Sequence, residues 1–578
     1  MSVMVASVRR AMGDPRLRAW KRGIKINMFN TKRCAQAGAI AAATALVLAA
    51  CGDDDGDDNG DGDGGSATGG TAVIHGCNPE NPLIPSMTNE VCGGDPLDFV
   101  FSKLVRYNAD TAEPENEVAE SITSDDNQLW TIEIEDGWTF HDGTPVTADS
   151  FVDAWNWAAD GANGALNSYF FEPIEGFAES QGEIDEETGE LVEGTNSETL
   201  SGLEVIDDST FTVQLTEPQS SFPNRLGYTA FAPLPEAFFE DPAAFGEAPI
   251  GSGPFELTSF ERDNAFELTR YDDYNGDTQP VVDNVEFKIF TDANAAYADL
   301  VAGNIDVMPT LPPNALTDQI YRDDLGDRFI NTDTGIIQTI TFAPDSVDAD
   351  MASPELRKAV SMAIDRQLII DNIFAGERTA ANGWVSPVVD GYLEGQCGEF
   401  CEYNPDRAKE LLEESGYEGG VTLSYNPEGG NKAWVDAACN SISNALEIDC
   451  TPNEFVDFAT FRSAINAREM TGMFRTGWQM DYPHIENFLV PLYATGASAN
   501  DGDYSNPAFD ELLQQAASAE TNDEAIALYQ QAEALLAEDM PAIPTWYQST
   551  VTGYSEDVEE VKINPFSTVD PLTLRVSG

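Results

Sequence analysis

VDNVEFKIFTDANAAYADLVAGNIDVM, residues 282–308, sets the fold class of the chain. Val285 to Phe290 predict a strand, Ala295, Ala298, Leu300 and Val301 sit on the helix that follows, and Gly303 ends it before the chain extends again. Strand–helix–strand alternation of this length argues for an α/β lobe. Upstream, PIGSGPFELTSF (249–260) and RYDDYN (270–275) lead in, with Gly251 and Gly253 beside Pro254 marking a bend or close backbone approach. LEVIDDSTFTVQL (203–215) reads as a hairpin turning at Asp207-Asp208-Ser209. A second hairpin is expected where Trp130, Ile132 and Ile134 share a face and the chain returns after Asp136-Gly137 through Trp138 and Phe140. HDGTPVTADSFVDAW (141–155) predicts a helix capped by Thr147, with Asp149 in its first turn and Phe151, Val152 and Trp155 on one side. His141 and Asp142 introduce the Gly-Thr-Pro turn and have no third partner, so they read as turn residues rather than an acid–base pair.

Downstream the helical signals are stronger. SPELRKAVSMAIDRQLII (353–370) reads as one helix with Ser353 as N-cap and Pro354 at its first position, and Asp365 with Arg366 as a structural ion pair. NPDRAKELLEESGY (404–417) repeats that logic from Asn404 to Gly416. Amphipathic helices follow at about 507–518 and 523–538, then PAIPTWY (541–547), and a tail from Tyr554 to Val576 is expected back on the first lobe. RTGWQMDYPHIEN (475–487) is where a ligand is expected. Asp481 lies between Trp478 and Tyr482, six residues after Arg475, and such a carboxylate could receive an ammonium group while apolar walls cover the rest of a guest. The competing reading is an interior strand followed by a capping Asp.

At 578 residues the chain is long enough for three to four domain-sized lobes. Asp and Glu number 101 against 29 Lys and Arg, a formal net charge of −72, which excludes nucleic acid as a natural partner because phosphate contacts need a basic face. Cys34 and Cys51 belong to the leader and its junction, leaving six cysteines in three close pairs. In an oxidising compartment the expected bridges are Cys77–Cys92, Cys397–Cys401 and Cys439–Cys450. CxxxC is loosely metal-like, but no histidine lies near it, so no metal site is expected. With three histidines and no GxSxG or HExxH, a secreted hydrolase finds no support, and no catalytic residue or cofactor is expected.

Lys32 and Arg33 precede the uncharged run AQAGAIAAATALVLAA (35–50), the pattern of a secretory signal too short and alanine-rich for a comfortable span. Leu48-Ala49-Ala50-Cys51 resembles the bacterial lipobox, which makes Cys51 the expected lipidated residue. The basic residues abut the apolar run, which places the expected start at Met28. From Gly52 to about Gly70 the chain is almost entirely Gly, Asp, Asn and Ser, a flexible tether. Gly60, Gly62 and Gly65 there spell GxGxxG without a strand or helix around them. Asp55, Asp57, Asn59 and Gly60 imitate half a calcium loop that Ser66 fails to complete.

GTPVTADSFVDAW, PIGSGPFEL, RYDDYNG and the strand–helix ending AGNIDVM resemble, in order and spacing, the extracytoplasmic solute-binding proteins of the peptide and nickel group that feed ABC importers, a likeness running from about residue 72 to the end. That resemblance implies a type II periplasmic-binding-protein-like fold: two hinged α/β lobes with an extra α+β subdomain. The implied division is a signal peptide (1–50), lipidated tether (51–71), first lobe (72–107, 202–310 and 548–578), extra subdomain (108–201) and second lobe (311–547). It further implies a monomeric lipoprotein on the outer face of the cell membrane, with a short peptide as ligand and an ABC permease as partner. Asp481 would take the peptide's amino terminus, Gly477, Trp478 and Gln479 would offer backbone groups, and Tyr482 and Arg475 would complete the site, Arg475 meeting a carboxylate. His484 departs from the pattern. Nickel chelates, opines, sugars and haem are the alternative solutes, and a signalling receptor is the alternative role.

Overall fold

A computed structural model describes residues 69–183, 191–192, 194–427 and 430–577. The expected signal segment, Cys34, Cys51 and the tether up to Thr68 lie outside them.

The predicted strand–helix–strand at 282–308 forms as Asn284–Ile289, Ala293–Val301 and Val307–Met308. Thr71–Gly76 lies between the two strands and runs parallel to both. Ala265–Arg270 and Phe255–Glu261 extend this sheet antiparallel beyond Asn284–Ile289. On its other side the sheet continues through two long strands, Phe329–Phe342 and Ala542–Tyr554, into Met473–Gln479, Val421–Tyr425 and Cys450–Glu454. The long strands belong to both lobes. Phe329 to Asp333 pair with Gly553 to Ser549, Ile337 to Thr341 pair with Tyr547 to Ala542, and the register breaks between Asp333 and Ile337. Separate cores lie on either side of that break: Ile74, Phe99 and Phe287 in the first lobe, Ile340, Leu423, Trp434 and Trp546 in the second.

An antiparallel four-stranded sheet, in the order Ala119–Ser124, Leu129–Ile134, Thr210–Gln214, Leu203–Asp207, carries the helix Ala148–Ala159. The hairpin at 203–215 is formed as expected. The one at 129–140 is not: Leu129–Ile134 pairs with Ala119–Ser124 and Thr210–Gln214, while Trp138 and Phe140 turn into the core. The boundary expected at residue 202 would therefore cut through a sheet, because Thr210–Gln214 hydrogen-bonds to Leu129–Ile134. Trp155 and Phe211 pack into the same continuous core as Ile74, so this layer and the first lobe share one interior.

The helix expected over 353–370 is two, Pro354–Met362 and Arg366–Ile373. The first ends at Met362 with Ala363 as its C-cap, and Asp365 caps the second, its carboxylate accepting from the Leu368 N–H at 3.0 Å. Arg366 does not pair with it but donates to the carbonyls of Pro544 (2.8 Å) and Ser361 (3.0 Å) and to the Ser361 hydroxyl. Pro405–Ser415 keeps its predicted cap at Asn404. The helices Pro507–Ala517 and Asn522–Asp539 form, and Ile563, Val569, Leu572 and Val576 of the tail pack into the first-lobe core. All three expected disulfides are present. Cys77–Cys92 ties the end of Thr71–Gly76 to the helix Val91–Val100, and Cys439–Cys450 ties the helix Asn431–Leu446 to its following strand.

Candidate ligand-binding site

The strand Met473–Gln479 is paired along its whole length on one side only. Phe329–Phe342 covers that side, from Phe342 opposite Met473 to Ile336 opposite Gln479. On the other side Val421–Tyr425 reaches only Met473 and Phe474. From Thr476 onward that edge has no neighbouring strand among the described residues, and its N–H and C=O groups form a template for an added strand. Gly477 is dictated by the close neighbour: a Cβ there would come within 2.8 Å of the Ile337 carbonyl oxygen.

Beyond Gln479 the chain leaves the sheet over Gly335. Met480 donates to the Gly335 carbonyl at 2.8 Å, and a side chain at 335 would collide with the Met480 thioether. The next residue is Asp481. Its N–H donates to Asn487 Oδ1 (2.8 Å), and its Oδ2 accepts from Asn487 Nδ2 (3.1 Å). Asn487 Oδ1 also accepts from the Trp478 indole N–H at 3.1 Å. Asn487, only 3% exposed in the first turn of the helix Glu486–Tyr493, thus has its amide oriented by three contacts and holds both Trp478 and Asp481 in place. Asp481 Oδ1 makes no hydrogen bond among the described residues.

Asp481, Met480 and Gln479 face the first lobe across a cavity of about 450 Å³, whose opposite wall includes Tyr107, Tyr169, Tyr228, Asp98 and Phe566. Burial raises the Asp481 carboxyl above the usual range; its Asn487 hydrogen bond and the positive charge of Arg225 act against that, and Glu486 adds to it. Burial, and after it the charge of Asp481, push the phenols of Tyr107, Tyr169 and Tyr228 up. Glu90, Asp95, Asp98, Glu117, Asp481 and Asp570 line this cavity against Lys103 and Arg106. Both cations are already committed, Lys103 to Asp98 at 2.9 Å and Arg106 to Glu115. A cavity of this sign attracts cations and repels carboxylates.

Arg475 and Trp478 line a second cavity of about 440 Å³, together with Phe458, Leu492, Tyr493, Tyr504 and the bidentate ion pair Arg462–Asp501 (2.6 and 2.8 Å). Gln479 lines both cavities and joins them along the free strand edge. Arg475 donates from Nε to Asn426 Oδ1 at 2.9 Å, and its guanidinium lies 6.0 Å from the Phe458 ring.

Tyr482, expected at the ligand, is placed elsewhere. Its ring is 3% exposed and borders neither cavity; its hydroxyl accepts from Arg225 Nη2 at 3.0 Å and donates to Glu486. The chain turns after Asp481, so adjacent side chains point to opposite sides. His484 is fully buried and burial lowers its pKa, leaving the ring neutral. Its Nδ1 accepts from the Glu486 N–H (3.2 Å), so Nε2 carries the proton and donates to Asn522 Oδ1 (3.0 Å). It braces the loop.

Asn487 and Arg225 were not singled out from sequence. Asn487 lies inside the 475–487 segment, but a lone Asn after a turn carries no periodic signal; Arg225 sits in a one-turn helix more than 250 residues upstream of Tyr482.

Known proteins of similar sequence and shape can be set beside this geometry. The dipeptide-binding protein DppE of Bacillus subtilis is 27% identical over 528 residues, covering 87% of this chain and 92% of that one. The oligopeptide-binding protein OppA of the same organism is 25% identical over 500 residues, 83% and 88% of the two chains. Among solved structures, the unliganded open form of the periplasmic murein tripeptide binding protein MppA superposes with a TM-score of 0.77 at 23% identity, over 88% of this chain and 98% of that one. Haemophilus influenzae OppA, in complex with RPPGFSPFR, gives 0.65 at 20% identity over 89% and 100%. These two likenesses establish the type II periplasmic-binding-protein fold. The family model for bacterial extracellular solute-binding proteins, family 5, matches residues 113–500, and the chain belongs to that family.

Proposed function

We propose that this chain captures peptides outside the cytoplasmic membrane and delivers them to an ABC importer. The observation that carries this is Asp481, a carboxylate oriented by Asn487 at the end of a free strand edge. A peptide laid along Thr476–Gln479 would exchange main-chain hydrogen bonds with that edge and bring its ammonium group to Asp481. Charge-assisted hydrogen bonding in a cleft that closes over its guest favours a free amino terminus, because an uncharged end leaves the carboxylate desolvated and unmatched. Side chains of the peptide enter the two cavities, where water supplies adaptable contacts and permits varied sequences. Contact with both lobes favours the closed arrangement, which is the shape the permease would read.

Two relatives, an oligopeptide-binding and a dipeptide-binding protein, support this choice of solute. Lipidation of Cys51 would hold the receptor at the membrane surface, and no described helix is long and apolar enough to cross a membrane. Calorimetry with Asp481→Asn against a degenerate tetrapeptide mixture, amino-free or N-acetylated, tests the reading. Selective loss of the amino-free binding is expected; equal change for both mixtures overturns it. Labelled fatty acid incorporated by the native chain and not by Cys51→Ser tests the anchor.

A further inference from the structure

Resting on that reading of Asp481, we infer that Arg225 is a positioning residue reaching across the lobe boundary: it cancels the charge of Glu486 and holds Tyr482, so that Asp481 is left as the unmatched charge for the guest's ammonium. Arg225 ends the one-turn helix Phe222–Arg225, whose Phe222 belongs to the first-lobe core, while Tyr482 and Glu486 belong to the second lobe. Its Nη2 donates to the Tyr482 hydroxyl at 3.0 Å and lies 4.0 Å from Glu486 Oε1; its guanidinium sits 5.0 Å from the centre of the Tyr482 ring. Ser221, beside it, donates to Glu486 Oε2 at 3.3 Å. The side chains of Arg225 and Glu486 are 11% and 4% exposed, so solvent screens this pair weakly.

The charges explain why the arginine is there. Asp481 and Glu486 lie five residues apart on one turn, and the groups acting on Asp481 are Arg225 and Glu486, with the phenols of Tyr107, Tyr169, Tyr228 and Tyr482 around it. His484, the other base on this turn, is neutral. One cation against two carboxylates leaves one negative charge over, which a peptide ammonium would match. Without Arg225, the charge of Glu486 would act on Asp481 with no cation against it, and Asp481 would be driven toward protonation. Arg225 is not the sole tie between the lobes: the Ser220 N–H and hydroxyl reach the Ala517 and Ala516 carbonyls at 3.0 and 3.2 Å, and Asn127 reaches Ala519. Its replacement therefore leaves the boundary held by other contacts.

The test is the pH dependence of affinity for the amino-free tetrapeptide mixture. In R225M the Asp481 carboxylate should be lost at higher pH, moving the acid limb upward by about one unit, so that binding weakens roughly tenfold at pH values on the limb and little well above it. R225K should recover most of this, and R225M/E486Q should return the limb close to its original place. E486Q alone, which keeps the arginine, should move the limb downward and serves where R225M melts too early. An unmoved limb in R225M and E486Q, or a double variant no better than R225M, overturns the inference. If Asp481→Asn fails to discriminate the two mixtures, the peptide-amine reading falls instead; discrimination there with an unmoved R225M limb sinks Arg225 alone.

Discussion

Two carboxylic acids of the second lobe, half-buried Asp481 and fully buried Glu533, are both pushed up by burial, but only Asp481 has a cation acting against that push. Asp481 lies beside the lobe boundary within the field of Arg225, takes both a donor and a fixed orientation from Asn487, and borders a cavity. Glu533, 1% exposed on the helix Asn522–Asp539, has no cation among the groups acting on it. Its Oε1 accepts from the Trp384 N–H at 2.8 Å, its Oε2 finds no partner among the described residues, and burial pushes its pKa up to about 8. Burial alone therefore produces a neutral acid that packs. Burial with one cation at the correct distance keeps a carboxylate in readiness for another.

The same change, carboxylate to amide, separates the two sites most sharply. Asp481→Asn should cost about 4 kcal/mol of binding to an amino-free peptide, roughly a thousandfold by calorimetry, since it removes one partner of a buried charge pair. Glu533→Gln should leave that affinity unchanged. Its effect should fall on stability instead. The folded pKa of Glu533 lies above the unfolded value, so the native state holds a proton that the unfolded chain releases, and stability falls as pH rises from about 4.5 toward about 8. Glu533→Gln should abolish that slope, changing the stability difference from the native chain by about 3 kcal/mol between pH 5 and pH 8 in denaturant melts. A pH-independent difference would mean that Glu533 is charged and the contrast false.

Smaller effects sharpen the Asp481 side. Asn487→Leu keeps the bulk but removes both hydrogen bonds to Asp481, and should weaken peptide binding about tenfold, near 1.4 kcal/mol. Trp478→Phe removes one N–H from the same amide and should cost about 0.5 kcal/mol, a two- to threefold loss measurable by the same titration.

Local rules made much of this molecule legible. Asn404, Pro405 and Gly416 mark a helix that is there, and the 203–215 hairpin closes through its own turn. Local logic failed where a partner came from far away. Leu129–Ile134 finds its second neighbour at Thr210–Gln214, some eighty residues on, so its turn-like sequel at Asp136-Gly137 points to a hairpin that is absent. The 353–370 stripe is continuous in apolar residues, yet Asp365 caps a new helix within it because its side chain competes for backbone N–H groups. At the site, Asp481 stood out as a carboxylate between aromatics, but Arg225 and the three phenols opposite it come from other segments and have no sequence signature.

Where the two long strands change partners, residues 334–336 lie opposite Gln548 alone, and Gly335 carries the hydrogen bond that seats Met480. A bend of those strands at this break would act on Gly335, whose carbonyl holds Met480, the residue before Asp481. Opening and aim thus share a pivot: a movement that widened the mouth would also turn Asp481 away from its guest, so that release would begin at the amino end and the rest of the peptide would peel from the strand edge behind it.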